Sequence, residues 1–356
     1  MASRATLLTM PADLPPASLR LSIDRDALAA NWRALDRLSG QAKAGAAVKA
    51  DAYGLGVAGV APVLHRAGCE DFFVAHWQEV PALLAHVPAA AIAVLHGPVT
   101  AADAAFARSA GVRPMINSLH QARLWTAAGG GACDVMIDTG INRIGLALAD
   151  LAEPVIADLN IDVVHSHLAS ADEDSPLNAA QQQRWNAARG MVQHKRASLA
   201  NSAGIALGAA YHGDLTRPGL ALYGGIPCAA LASEIQQVVT PEAALLQVRE
   251  IVAGESVGYN ATFVAAQTMR IGVISLGYAD GYLRAWSDKG MLRSSGRPVP
   301  VIGRVSMDMT VVDLSATPDL REGDWLAVDY SLPEAAVISG LSQYELLTLL
   351  GRRFSR

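Results

Sequence analysis

AGAAVKADAYGLG, residues 44–56, decides how this chain is read. Its first stretch, Ala44–Val48, is apolar without alternation, as a strand buried on both faces of a parallel sheet requires, and it ends on Lys49. Seven further runs of this kind follow: DFFVA (71–75), AIAVL (91–95), VRPMI (112–116), DVMID (134–138), IDVVH (161–165), ASLAN (197–201) and GLALY (219–223). Segments with helical periodicity lie between them. Residues 24–38 put Leu28, Trp32, Leu35 and Leu38 on one stripe, and residues 179–192 read similarly. Eight strands alternating with helices predict an α/β fold of the (β/α)8, TIM-barrel type, with an open doubly wound sheet as the alternative.

After Pro241 the pattern changes. ALLQVREIV, MRIGVISLGY, RPVPVIGRVSM, TVVDL and DWLAVDY alternate and are divided by Gly, Pro and Asp turns, which predicts a mostly antiparallel β domain with a closing helix near residues 343–350. The expected division of the 356 residues is an N-terminal extension (1–20), a barrel (21–240) and a C-terminal β domain (241–356). With 51 % hydrophobic and 17 % charged residues the chain has ample core material and is not intrinsically disordered. A net charge of −5 argues against a nucleic-acid groove or a polybasic membrane surface. Cys69, Cys133 and Cys228 lie far apart, which fits a reducing compartment and excludes a disulfide framework or a cysteine-rich zinc site. The opening MASRATLLTMPADLPPASLR has too short an apolar core for a secretory signal, and no apolar run is long enough to span a bilayer. The expectation is a soluble cytoplasmic protein with neither nucleic acid nor membrane as a partner.

In such a barrel, chemistry gathers at the carboxyl ends of the strands. The chain has four lysines, Lys43, Lys49, Lys195 and Lys289, and Lys49 alone terminates an apolar strand. Desolvation there lowers an amine's pKa and leaves it able to attack a carbonyl, as a Schiff-base lysine does. The plainer alternatives are a snorkelling lysine or a pair with Asp51.

AVKADAYGLG (47–56) resembles the signature of the alanine racemase family, fold-type III pyridoxal-phosphate enzymes. Seven more motifs follow in family order: IDTGINRIG (137–145), HSHLASADE (165–173), LANSAG (199–204), RPGLALYG (217–224), VGYNATF (257–263), LGYADGYLR (276–284) and GRVSMDM (303–309). The resemblance implies that Lys49 carries pyridoxal 5'-phosphate and then serves as one acid–base group. It implies that Tyr259 is the second, supplied by the other subunit of a head-to-tail homodimer with shared active sites. Arg217 is implied to face the pyridine nitrogen and His167 to pack beside the ring. Tyr53, Ser202 and the amides of Gly219 and Leu220, with Asn201 close by, are implied to meet the phosphate. Arg143 and the amide of Met307 match the groups that meet the substrate carboxylate, and Tyr278 and Tyr282 match a narrow entrance that favours alanine, Tyr278 being the nearer.

Read without the resemblance, Arg217 could pair with Asp214, Tyr259 could be a half-buried sheet residue, and His167, like His165, could be structural. Four positions depart from the family pattern. Leu55 stands where the usual motif has His, Met136 where many relatives have a carbamylated lysine, Ser198 where some have a histidine, and Arg352 where some have a phosphate-binding tyrosine. The implied activity is racemisation of L- and D-alanine by two bases, supplying D-alanine for peptidoglycan. The alternatives are a racemase of serine or of broader specificity, a non-catalytic cofactor-binding barrel, and a related aldolase or decarboxylase. A metal-assisted aldolase is disfavoured because the β domain has no histidine after His212 and no set with ligand spacing.

Overall fold

The computed structural model describes residues 15–356; residues 1–14, which hold most of the expected extension and of the leader-like opening, lie outside the described residues. The chain divides into two compact units. One comprises Ser22–Thr240, Tyr330–Leu350 and Arg356, and the other takes the residues up to Leu21, Pro241–Asp329 and Gly351–Ser355.

The first unit is a closed parallel barrel. Strands Ala46–Ala47, Phe72–Val74, Ile92–Val94, Arg113–Ile116, Ala132–Met136, Asn160–His165 and Arg196–Ser198 form one sheet in chain order. The eighth strand, Leu215–Thr216, pairs in parallel with Lys43–Ala44. The amides of Lys43, Gly45 and Ala47 donate to the carbonyls of Asp214, Thr216 and Pro218, while those of Ala46 and Val48 donate to Asp71 and Phe73. On the other side, Arg217 donates its amide to Ala200 and completes the ring.

Seven of the eight expected strands lie where the apolar runs put them. GLALY does not: Leu220–Tyr223 is a 3-10 turn, and the last strand is the two-residue Leu215–Thr216 ahead of it. Leu220, Ala221, Leu222 and Tyr223 are all buried, and a short apolar run buried all round reads alike as strand or helix. The helix expected over 179–192 runs instead over Pro176–Arg189, starting at Ser175, whose hydroxyl accepts from the Leu177 amide.

The end of the barrel where the strands start is closed by buried ions. Arg113 donates to Asp71 at 2.7 Å and to Asp134 at 3.2 Å, and Arg196 reaches Asp71 and Asp162 at 2.7 and 2.8 Å. Helices Leu332–Ser339 and Gln343–Thr348 also belong to this unit rather than to the β unit. Gln343 exchanges two 2.8 Å hydrogen bonds with the backbone of Ile226, and the Tyr330 carbonyl accepts from Gln237.

The second unit is a closed antiparallel barrel. Its strands run in the order Val239–Ile251, Met269–Ile274, Thr310–Asp313, Arg297–Ile302, Met291–Ser294 and Trp325–Val328, the last pairing back onto the first. The long first strand serves two partners. Residues 242–244 pair with 325–327, an irregularity falls between Leu245 and Gln247, and residues 247–251 pair with 269–273. Such a bulge bends a strand and lets a sheet close on itself. A hairpin of Ser256–Val257 with Phe263–Val264 carries Tyr259 in its connection.

Candidate active site

A cavity of about 700 Å³ lies in the parallel-barrel unit, lined by residues just past the carboxyl ends of the strands. Lys49, Tyr53, Arg143, His167, Asn201, Ser202, Arg217, Gly219 and Leu220 all line it, as does Met136. The helix Gln343–Thr348 contributes Tyr344, Glu345 and Thr348 to the wall, which the sequence reading missed.

Lys49 begins an unusual turn. Ala50, Asp51, Ala52 and Tyr53 have φ of 55°, 53°, 55° and 56°, a left-handed helical turn built without glycine until Gly54. Left-handed helix costs L-residues roughly 1–2 kcal/mol each, so the surroundings must impose it. The amides of Ala52 and Gly54 donate to Val48 and Ala50, and the Asp51 carboxylate accepts from the Val57 amide at 2.7 Å. Burial lowers the Lys49 pKa, and the Arg143 cation lowers it further against an opposing pull from Glu79. The amine is thereby biased toward its neutral, nucleophilic form.

At the phosphate end, Ser202 Oγ accepts from the amides of Gly219 at 2.9 Å and Ala221 at 3.3 Å. Leu220 opens the 3-10 turn, so its own N–H has no acceptor within that turn. Asn201 caps the following helix through Gly204 N–H at 2.9 Å. Tyr53 is 6 % exposed and its ring lies 4.9 Å from Tyr223 and 6.3 Å from Tyr344. A Cβ on Gly219 would sit 2.3 Å from the Tyr53 hydroxyl, so any side chain there must displace the phenol.

Arg217 is a buried cation with neutral neighbours. Nη1 donates to His165 Nδ1 at 3.2 Å and to Ser198 Oγ, while Nη2 donates to the carbonyls of Ser166 and Leu199. Asp214 is not its partner; that carboxylate accepts from the Ala197 amide. Both hydrogens of each terminal nitrogen are thus engaged, and Nε–H has no partner among the described residues. Burial pushes the Arg217 pKa down to about 10. Ser198 is therefore an acceptor for this arginine, and His165, from the neighbouring strand, is another. His165 Nε2 in turn faces Asp134 Oδ2 at 3.3 Å. Desolvation takes the His165 pKa down to about 4, so the ring is neutral, donating to Asp134 and accepting from Arg217. Burial would raise the Asp134 carboxyl, but Arg113 and His165 overcome it and hold the pKa below the ordinary value. The pKa of His167, which is half-buried, is pushed down to about 3 by desolvation and by the cations Arg217, Arg143 and Lys49.

Arg143 stands on a loop held by one carboxylate. Asp138 accepts from the amides of Gly140, Asn142 and Arg143 at 2.8, 3.1 and 3.1 Å. With Met136 in the wall, the loop backbone rather than the guanidinium is what is fixed, and the Arg143 side chain has no ion pair among the described residues.

Tyr259, Tyr278 and Met307 belong to the antiparallel unit. Tyr259 is 68 % exposed, on a connection where Gly258, Asn260 and Ala261 all have left-handed φ. Tyr278 and Met307 are neighbours: Tyr278 N–H donates to Ser306 and Ala279 N–H to Met307, each at 3.0 Å. Arg353 grips this pair of loops, binding the buried Asp280 and, at 2.7 Å, Asp308. Tyr282 is buried in this unit and stacked on Trp286 at 5.0 Å. Arg352 is exposed and does not line the cavity.

A lysine at a parallel-barrel strand end, a cavity with amide and hydroxyl donors at one side and a buried arginine at the other, and an antiparallel barrel to follow define a fold-type III pyridoxal-phosphate enzyme. Comparison with known families is consistent over nearly the whole length. Residues 23–227 match the alanine racemase N-terminal domain and residues 238–356 the alanine racemase C-terminal domain. An alanine racemase of Acidiphilium cryptum is 41 % identical over 349 residues, covering 94 % of this chain and 97 % of that one. A biosynthetic alanine racemase of Agrobacterium fabrum is 39 % identical, covering 96 % and 93 %. Among solved structures, the Bartonella henselae alanine racemase with covalently bound pyridoxal phosphate superposes with a TM-score of 0.87 at 34 % identity, covering 96 % of this chain and 99 % of that one. The biosynthetic enzyme of Pseudomonas aeruginosa gives 0.83 at 33 %, covering 96 % and 99 %. The chain belongs to the alanine racemase family.

Proposed function

We propose that this chain interconverts L- and D-alanine by passing the α-proton between Lys49 and Tyr259, and so supplies D-alanine for peptidoglycan. It is an isomerase that uses pyridoxal 5'-phosphate. The residues present suit that group. The amine of Lys49 is biased toward its nucleophilic form, and the narrow gap between Tyr53 and Gly219 sits beside Ser202 and the Leu220 amide, where an anion meets donors without a lysine. When bound, the cofactor supplies the electron sink that lets an amino-acid α-proton leave near neutral pH.

The chain's own residues then have separable tasks. With its terminal nitrogens engaged, Arg217 has Nε–H left as the donor that would meet the pyridine nitrogen of the bound cofactor. Even with its pKa lowered to about 10 by burial, the guanidinium remains protonated near neutral pH and is far too weak an acid to pass its proton to the ring. His167 would pack beside the ring as a neutral imidazole, which avoids a further cation next to Arg217. Arg143 and the amide of Met307 meet the substrate carboxylate, and Tyr278 narrows the approach to small side chains. Lys49 accepts or returns the α-proton on one face and Tyr259 does so on the other.

An exposed phenol on a backbone shaped by three left-handed residues is what a donated base looks like in a single chain. We therefore assign Tyr259 to the site of a second copy, in a head-to-tail homodimer with two shared sites. As a supplier of D-alanine that uses a soluble cofactor, the enzyme is placed in the cytoplasm; among the described residues no helix is long and apolar enough to cross a membrane. The observation that carries the whole reading is Lys49 at a strand end, its pKa lowered by burial inside the cavity. The test is Tyr259→Phe in buffer made with deuterium oxide. The variant should keep the visible absorbance of the bound cofactor and lose racemisation by at least about a hundredfold, the usual worth of a positioned acid–base group. Loss should be greatest in the direction that starts from L-alanine. Undiminished turnover in both directions removes Tyr259 from the mechanism.

A further inference from the structure

The left-handed turn after Lys49 needs an external hold, and one side chain from another strand end provides it. Glu79 closes the 3-10 turn Trp77–Glu79 that follows strand Phe72–Val74. One carboxylate oxygen accepts from the amide of Ala50, the first left-handed residue, in a very short contact. The other accepts from the amides of Ala75 at 2.7 Å and His76 at 2.9 Å. A single carboxylate therefore ties the residue next to Lys49 to the end of the adjacent barrel strand.

We propose that Glu79 is a positioning residue for Lys49: it holds the left-handed turn that presents the amine to the cavity. The inference rests on the reading that Lys49 captures the cofactor. Its chemical content is that three converging N–H donors need two acceptor oxygens. Glutamine has one, and its NH2 would be turned against an N–H, so this nominally conservative exchange is disruptive here. Glu79 also acts on the amine through its charge. The charged and titratable groups that act on Lys49 are Glu79, Arg143, His96 and His167, with His76 edge-on to His96 at 4.2 Å and Tyr53, Arg217, Tyr344 and Glu345 elsewhere in the cavity wall. Among these, the Glu79 carboxylate is the one that favours the protonated amine.

The experiment compares the full-length parent, Glu79→Gln, and Glu79→Gln combined with Ala50→Gly, which lets a residue without a Cβ adopt the left-handed φ freely. Each is incubated with pyridoxal 5'-phosphate across a range of pH, trapped with borohydride, and the labelled peptide located by mass spectrometry. The parent must label at Lys49; if it does not, the Lys49 reading fails first and the two failures are told apart. Glu79→Gln is expected to load at least roughly tenfold more weakly, the worth of a charged hydrogen bond. Its capture midpoint should move to lower pH, because the charge that favours the protonated amine is gone. Adding Ala50→Gly should restore much of the loading while the midpoint stays low, a split that a merely structural carboxylate does not produce. If Glu79→Gln alone yields no folded protein, the double variant carries the test. Capture at the parent's affinity, or at the parent's midpoint, overturns the proposal.

Discussion

Gly219→Ala tests the phosphate end of the site most sharply. The added Cβ falls 2.3 Å from the Tyr53 hydroxyl oxygen, 3.0 Å from its Cζ and 3.4 Å from Ala47 Cβ. To reach ordinary contact, the phenol has to withdraw by about an ångström or more, since carbon contacts settle near 3.5–4.0 Å. Tyr53 has little room to do so. It is buried, its ring is packed against Tyr223, and its backbone is already left-handed. Overpacking of this kind costs roughly 1–3 kcal/mol. If the cost falls on the state in which Tyr53 and the Leu220 amide must both meet the phosphate, cofactor dissociation rises about five- to 150-fold. Titration of the visible cofactor absorbance measures this directly, with circular dichroism as a check on the fold. Tyr53→Phe removes the oxygen at the closest contact, so the two substitutions together should be less damaging than the sum of each alone. Parent-like affinity in Gly219→Ala, or strictly additive effects in the pair, would refute the idea that this gap is the phosphate cradle.

Two further outcomes follow from the charges around the cavity. Arg143→Met removes a cation that lowers the Lys49 pKa, so the pH at which the amine captures pyridoxal 5'-phosphate should rise, opposite in sign to Glu79→Gln; capture rates measured across pH read the shift. In the cofactor-free protein, His165 and His167 have folded pKa values of about 4 and about 3, below their unfolded value near 6.5. The unfolded chain therefore takes up protons first, and stability falls as pH drops below about 6.5, by up to ~1.4 kcal/mol per pH unit for each histidine. Urea midpoints at pH 7 and pH 5 should differ accordingly, and His165→Asn should lessen the difference; equal midpoints would mean the rings are not held neutral in the folded chain.

Much of the fold was legible because parallel strands buried on both faces announce themselves as continuous apolar runs, and seven of eight did so. The eighth failed for a physical reason. Leu215–Thr216 is only two residues long and carries no run, while the longer GLALY run after it is buried as a turn. In the β unit, Met291–Ser294 was overlooked because MLRS carries too few apolar residues to stand out. The residues lining the cavity were legible as motifs, but their support was not. Glu79, His165 with Asp134, and Tyr344 act through contacts between residues far apart in sequence, and no local spacing records such contacts. Asp138 is a partial exception. A carboxylate two to five residues ahead of Gly140, Asn142 and Arg143 is a local turn signal, and it explains how the Arg143 loop is held without a charged residue at position 136.

Borohydride reduction of the pyridoxal 5'-phosphate-loaded parent enzyme, followed by peptide sequencing, addresses the capture of the cofactor at its origin. The bleached protein should carry one pyridoxyl group per chain, on the peptide that contains Lys49, and Lys49→Ala should take up none. A label on Lys43, Lys195 or Lys289, or a Lys49→Ala protein that still binds and reduces the cofactor covalently, contradicts the assignment of Lys49.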